Sequence, residues 1–152
     1  MFRVRVFTPP VTNEEGWLHA GAELRLGTER FFFLVDLSHW RIADYERQWR
    51  AGTERMLHGA PSTALMTAYR GPGEATHHMW GLWRDASHVY VQQHSVVVDE
   101  LGPAFDPNAP YDHLGERIAT SRHGLPIPEW RLDLVHVYAA AMGIRWPFYP
   151  AA

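Results

Sequence analysis

Residues 38–59 read SHWRIADYERQWRAGTERMLHG and follow an uninterrupted helical period. Their apolar and aromatic side chains recur every three or four positions, so they fall on one stripe of a helix that has to be buried. The residues of this stripe are Ile42, Tyr45, Trp49, Thr53, Met56 and Leu57. Ser38 is placed to cap the first turn, Gly59 to end the helix in a left-handed conformation, and Pro61 to prevent its continuation. The sequence therefore predicts one principal amphipathic helix over about residues 39–59.

Segments on both sides of this helix alternate between apolar and polar residues, a pattern that predicts β-strands. The predicted strands cover residues 2–6, 17–26, 31–37, 62–70, 77–84, 87–98 and 130–134. The run FFFLVDL at 31–37 is apolar at nearly every position, which predicts a strand covered on both faces. A short C-terminal helix over 134–142, ended by Gly143, completes the elements. We therefore expect an α+β fold, one domain over 1–152, with a mainly antiparallel sheet packed against the principal helix.

The clearest hairpin of the sequence turns at Asp85 and Ala86. A two-residue loop at this position would place His77 opposite His94 on the neighbouring strand. One face of the hairpin is then apolar and belongs to the core. The other face is mixed aromatic and polar, and it bears Met79, Trp83, His88, Tyr90 and Gln92.

The composition excludes several classes of chemistry. The 152 residues contain no cysteine, which rules out disulfides, thiolate nucleophiles and cysteine-bearing zinc sites. All 14 basic residues are arginine, so no lysine is present to form a Schiff base or to bind phosphate in a P-loop. The arginines are scattered along a chain of net charge −3, which argues against direct binding of nucleic acid. No apolar run reaches the roughly 18 residues of a membrane span, so we expect a cytoplasmic protein with no membrane partner.

Ten histidines raise the question of a metal site. His77 and His94, if they face each other across the hairpin, could share an ion with a loop carboxylate, as in a small metal-dependent hydrolase. His78 follows His77 in the same strand and points to the opposite face, and the spacing indicates no third ligand. No serine lies in a nucleophile elbow. We predict a protein that is not an enzyme, with no catalytic residue, metal or cofactor, and keep the hydrolase as an alternative.

Residues 99–128 lack periodicity and are interrupted by Pro, Gly, Asp and Asn every few positions, which predicts a long loop. Acidic side chains accumulate in this loop, and an acidic surface favours association with a basic partner. These acidic residues are Asp99, Glu100, Asp106, Asp112 and Glu116.

Several motifs of the chain resemble the immunity proteins of bacterial contact-dependent growth inhibition (CDI) systems. The resemblance begins with YxxQW in the helix and continues with WGLWR at 80–84, VYVQQ at 89–93 and a GxxIxEW pattern at 124–130. It covers about residues 30–138. The motif residues on which it depends are Tyr45, Gln48, Trp49, Glu129 and Trp130.

This resemblance implies a small α+β protein that binds and neutralises the toxic C-terminal domain of a large exported effector, often a nuclease. We expect the motif residues to be structural, because recognition surfaces must differ between partners whereas a core need not. Toxin contacts are expected from the acidic loop or from the hairpin face of Trp83, Tyr90 and Gln92. A third interpretation is an adaptor module that uses the same aromatic face on another protein.

Overall fold

The computed structural model describes residues 1–99 and 102–143. Within these residues the chain forms two antiparallel sheets and two α-helices, which confirms the predicted α+β class. The strands are β1 (Phe2–Val6), β2 (Val11–Thr12), β3 (Leu18–Leu26), β4 (Glu29–Asp36), β5 (Ser62–Ala68), β6 (Thr76–Arg84), β7 (His88–Val97) and β8 (Trp130–Asp133); the helices are α1 (Ile42–Leu57) and α2 (Leu134–Ala141). The predicted acidic residue Glu100 and the apolar tail 144–152 lie outside the described residues.

The four strands before α1 in the sequence form one sheet, and the four strands after it form the other. In the first sheet β3 is central; it pairs with β4 on one edge and with β1 and then β2 along the other. The second sheet has the order β5-β6-β7-β8. One sheet was expected, but two are present. The strand before α1, β4, and the strand after it, β5, are not hydrogen-bonded to each other. No helix among the described residues is long and apolar enough to span a bilayer.

Helix α1 begins three residues later than the predicted 39–59 and ends at Leu57, two residues before the predicted stop at Gly59. Ser38 does not cap it, because its backbone N–H and its hydroxyl both donate to Asp36 in the turn before the helix. The helix begins after Arg41, whose backbone N–H donates to the side chain of Asp44 at 2.9 Å. Gly59 adopts φ +90° and its N–H donates to the Met56 carbonyl, the left-handed ending that the sequence indicated.

The core lies between the facing surfaces of the two sheets and against α1. Ala20, Ala22 and Leu24 of β3 are fully buried on its inner face, as their alternation predicted. Phe31 of β4 contacts Trp80 of β6 across the core, with ring centroids 5.5 Å apart.

The FFFLVDL run is only half covered, contrary to the sequence prediction. Val35 is buried, but Phe32 is 62% exposed and Leu34 is 60% exposed, because the first sheet is covered on its inner face only. The apolar composition of this run predicted that both faces of the strand are buried, but only one face is.

The register of the β6–β7 hairpin differs by two residues from the predicted one. Arg84 pairs with Val89, so the loop has four residues instead of two. The reason is the Asp85 carboxylate, which accepts hydrogen bonds from the N–H groups of Ser87 and His88 and so stabilises a wider turn. A shift of two preserves the face of every side chain, but it separates the residues that were expected to be opposite.

Candidate functional site

Side chains of α1 form hydrogen bonds with the backbone of β5, along the edge where β5 has no neighbouring strand. The Gln48 amide donates to the Ala64 carbonyl and accepts from the Met66 N–H, both at 2.9 Å. These are the two bonds that a neighbouring strand would make, so Gln48 replaces one peptide of a missing strand. The edge of β5 is thereby closed to pairing with another chain.

The other two residues of the YxxQW motif extend this contact along β5. The Trp49 indole N–H donates to the Met66 carbonyl at 2.7 Å, and Trp49 is only 2% exposed. The Tyr45 hydroxyl accepts from the Tyr69 N–H at 2.8 Å and donates to the Asp36 carbonyl at 2.6 Å, which ties the end of β4 to the end of β5. Burial raises the pKa of Tyr45 above its ordinary value, so it remains a neutral donor. These hydrogen bonds hold α1 against the edge of β5.

The long loop lies on the outer side of the second sheet. The Trp83 indole donates to the Gly115 carbonyl at 3.1 Å, and the Gln92 amide donates to the Ile118 carbonyl at 2.9 Å. Trp83 is consequently 7% exposed and Gln92 is 1% exposed. This face was predicted to be free because the pattern of the hairpin carries no sign of the loop that covers it. Both side chains belong to the interior of this structure.

Glu129, the first residue after the loop, connects Arg117 of the loop to Gln92 of β7. Its carboxylate accepts from the Gln92 amide and from the Arg117 guanidinium, each at 2.7 Å. The hydrogen bonds from Arg117 lower the pKa of Glu129 from its usual range, which keeps the pair ionised. Trp130, the next residue, packs against Phe31 with ring centroids 4.6 Å apart. Glu129 thus bonds to the loop, while Trp130 packs in the core.

Tyr90 lies at the border of the covered face. Its hydroxyl donates to the Asp85 carboxylate at 2.9 Å, and the Arg117 guanidinium lies 3.9 Å from its ring centroid. Tyr90 is half-buried, so part of its ring and hydroxyl remains at the surface. Of the aromatic and amide residues predicted as partner contacts, it is the one that stays accessible.

The acidic side chains of the loop that the structure describes are exposed to solvent. Asp99, Asp106, Asp112 and Glu116 are all exposed, and Asp112 lies in a 3₁₀ turn over Pro110–His113. Asp106 accepts the Asn108 N–H with its side chain, which fixes the start of that turn.

The structure does not place the two histidines of the hydrolase alternative opposite each other. His77 pairs with Val96, and His94 pairs with Met79, so the predicted opposition of His77 and His94 is wrong by the two-residue register shift. His77 is buried in a stack with Phe105, with ring centroids 3.9 Å apart, and this burial lowers its pKa. Among the described residues no three histidine or acidic side chains converge in a way that could hold a metal ion.

One charged surface of the structure was not predicted, and it lies on the outer side of the first sheet. Arg3, Arg25 and Arg30 form one row across β1, β3 and β4, and Arg5 pairs with Glu23 in the next row. Glu23 is completely buried and accepts four hydrogen bonds of 2.6–3.1 Å from Arg3, Arg5 and Arg30. Burial alone would raise the pKa of Glu23, but these hydrogen bonds outweigh it and lower the pKa to about 2.

Exposed apolar side chains adjoin this arginine cluster. Phe32 and Leu34 continue the same face of β4, and the Phe7 ring contacts Phe32 edge-to-face with centroids 5.6 Å apart. We refer to this surface as the outer face; it consists of Arg3, Arg5, Phe7, Glu23, Arg25, Arg30, Phe32 and Leu34. Its signal in the sequence was the outward position of the arginines in alternating strands, which becomes a cluster only when the strands are paired.

The chain matches a family model over residues 35–140, and the model is described as the CdiI N-terminal domain. The match spans α1, the second sheet and the loop, including all five motif residues. A solved structure, the CdiA-CT/CdiI toxin and immunity complex from Enterobacter cloacae, contains a chain of similar fold. The TM-score is 0.84 at 25% sequence identity, over 94% of this chain and 97% of that chain. No curated protein matches the chain.

Proposed function

Because this chain belongs to the CdiI N-terminal domain family, we propose that it is a CDI immunity protein, which binds and neutralises the C-terminal toxin domain of its cognate effector. The observation that carries the proposal is the agreement of two independent comparisons. The family model covers α1 and the second sheet, and the similar solved chain comes from a complex of toxin and immunity protein. The resemblance noted in the sequence is confirmed by both.

The mechanism that suits this structure is occlusion without catalysis. An immunity protein has to cover the active site of the toxin or a surface that the toxin needs, and it requires no reacting groups for this task. The histidines of the hydrolase alternative are not cross-strand partners, and His77 is stacked against Phe105. We propose that the 152 residues act as one domain in the cytoplasm, where a toxin that enters the cell would meet its target.

A nuclease is the kind of toxin that the acidic loop would suit. Enzymes that cleave nucleic acid attract phosphates with basic side chains, and an acidic surface is complementary to such a site. The accessible acidic groups Asp99, Asp106, Asp112 and Glu116 are therefore our proposed toxin contacts, together with the exposed part of Tyr90. Glu100 belongs to the same proposal on its sequence alone. Trp83 and Gln92 would serve this surface indirectly, since they hold the loop in place.

Co-expression with the toxin domain encoded immediately upstream tests the proposal. We expect cells that carry both genes to survive, and the two proteins to co-purify as a stable complex. The matched control is the same toxin expressed with Gln48→Leu, a variant designed to impair the fold without changing the surface. Death of cells that contain the folded wild-type chain, with no complex formed, would refute the immunity function.

A further inference from the structure

We propose that the outer face of the first sheet is a second toxin-contacting surface, which docks an apolar patch bordered by carboxylates on the toxin domain. The inference rests on the proposed function and deepens it by naming the chemistry of a contact. The arginines of the outer face lie on β1, β3 and β4, so this surface is built from other elements than the acidic loop and has the opposite charge. The two surfaces would therefore contact different parts of the toxin.

The arrangement of charges on this face does not serve the fold alone. Like charges directly opposite each other on neighbouring strands destabilise a sheet, yet Arg3, Arg25 and Arg30 form one row. Glu23 compensates the arginines that it contacts, whereas among the described residues Arg25 has no carboxylate in a salt bridge, and its Nε is buried without a hydrogen-bond partner. A carboxylate from another protein would reduce the repulsion among these three arginines.

Glu23 also prepares the guanidinium groups for binding. Each guanidinium has five N–H donors, and the buried carboxylate uses only a few of them while it fixes the position of Arg3, Arg5 and Arg30. The remaining donors are available for bidentate pairing with carboxylates. Because the side chains are already held, binding costs less conformational entropy than with free arginines.

The apolar part of the face supplies the centre of an interface. Phe32 and Leu34 are among the most exposed large hydrophobic side chains of the described residues, and Phe7 extends the patch. Apolar and aromatic side chains surrounded by arginine are the composition that protein interfaces favour at their core and rim. Nucleic acid fits this face less well, because the Glu23 carboxylate lies among the arginines and neutralises part of their charge.

All residues of the outer face precede, in the sequence, the region that the family model covers. Its residues run from Arg3 to Leu34, and the match begins at residue 35. Specificity for one toxin requires contacts that differ between family members. A surface outside the shared domain is free to provide such contacts without disturbing the edge of β5.

Binding of the purified upstream-encoded toxin domain to two variants tests the inference. Phe32→Ser/Leu34→Ser removes the apolar patch, and its matched control is Val135→Ser/Met142→Ser, which removes two exposed apolar side chains outside both the outer face and the acidic loop. We expect the first to raise the Kd about tenfold or more, the loss of a central contact, and the control to leave it unchanged. Arg25→Glu should slow association at low salt, compared with Arg50→Glu on the exposed side of α1.

Each result bears on the inference separately from the proposed function. Wild-type affinity in both outer-face variants, with folding verified by circular dichroism, would overturn the inference while the immunity function stands. A wild-type dimer that Phe32→Ser/Leu34→Ser dissociates, or binding of a labelled RNA oligonucleotide that Arg25→Glu abolishes, would assign the face to another occupant and overturn it too. Failure of the wild-type chain to bind the toxin would refute the proposed function and the inference together.

Discussion

Gln48 in helix α1 accepts a hydrogen bond from the backbone N–H of Met66 at the edge of β5, at 2.9 Å. The same side chain donates to the carbonyl two residues earlier in β5, so one amide replaces a peptide group of an absent strand. The three motif side chains contact successive points of this edge: Gln48 bonds to Ala64 and Met66, Trp49 to Met66, and Tyr45 to Tyr69.

Replacement of Gln48 by leucine should destabilise the protein by about 2–4 kcal/mol, because two buried backbone groups of β5 lose their partners. The free energy of unfolding from urea denaturation measures this loss. Gln48→Glu is the informative companion, since it keeps an acceptor for the Met66 N–H and loses the donor to Ala64. We expect it to be unstable at neutral pH and to recover in part when acid protonates the carboxylate. A Gln48→Leu protein as stable as the wild type would contradict the role of this edge.

Trp49→Ala should cost about 3–5 kcal/mol, the usual loss for a large core side chain. Trp49→Phe retains most of the ring but removes the hydrogen bond to the Met66 carbonyl, and should cost about 1–3 kcal/mol. Thermal and urea unfolding would rank the two variants. If Trp49→Ala lost less than about 1 kcal/mol and abolished toxin binding, Trp49 would be an interface anchor and its structural assignment would be wrong.

Glu23→Gln should lower the free energy of unfolding by about 2–3 kcal/mol at pH 7. This is less than the roughly 3–5 kcal/mol for a fully buried pair, because the arginine partners are partly exposed to solvent. The pKa of Glu23 is lowered from 4.5 to about 2 in the folded chain. The unfolded chain therefore binds this proton more readily, and the stabilisation is complete above about pH 4.5 and is lost as the pH falls towards 2.

Urea denaturation of the wild type and Glu23→Gln between pH 7 and pH 3 checks both parts of that prediction. The difference between the two proteins should shrink below about pH 4.5. Glu14→Gln, an exposed residue in the turn before β3, controls for the general loss of one negative charge. A difference that stays constant with pH would show that the loss arises from packing and not from ionisation of Glu23.

Neutralising the acidic loop with Asp106→Asn/Asp112→Asn/Glu116→Gln should reduce the association rate with the toxin domain by about tenfold at low salt. The Asp106→Asn change keeps a side-chain acceptor for the Asn108 N–H, so the turn should be preserved. Stopped-flow or surface-based kinetics at several salt concentrations measures the effect. The control, Glu14→Gln/Glu15→Gln/Glu29→Gln, removes the same charge elsewhere. Equal rates for the two triple variants would mean that net charge, and not the loop, governs association.

The sequence predicted the elements whose pattern repeats over a short distance. The stripe of α1, its end at Gly59 and the alternation of β3 are local properties of short segments. The structure confirms the alternation, the left-handed Gly59 and the burial of Tyr45, Trp49, Thr53 and Met56, although Ile42 and Leu57 are only half-buried. The role of Tyr45, Gln48 and Trp49 was predicted as structural, but their shared target was not. Nothing in the sequence of β5 shows that its edge lacks a strand, because that depends on which strands pair with it.

The tertiary structure alone decided what covers each face and which side chains meet. The loop buries Trp83 and Gln92, whereas Phe32 and Leu34 remain exposed in a run whose composition predicted burial on both faces. The carboxylate of Asp85 widened the hairpin, so His77 and His94 are not paired with each other. Arginines as distant in the chain as Arg3 and Arg30 became one cluster around Glu23. Periodicity reports only the face on which a residue lies, while the partner of that face comes from a segment far away in the sequence.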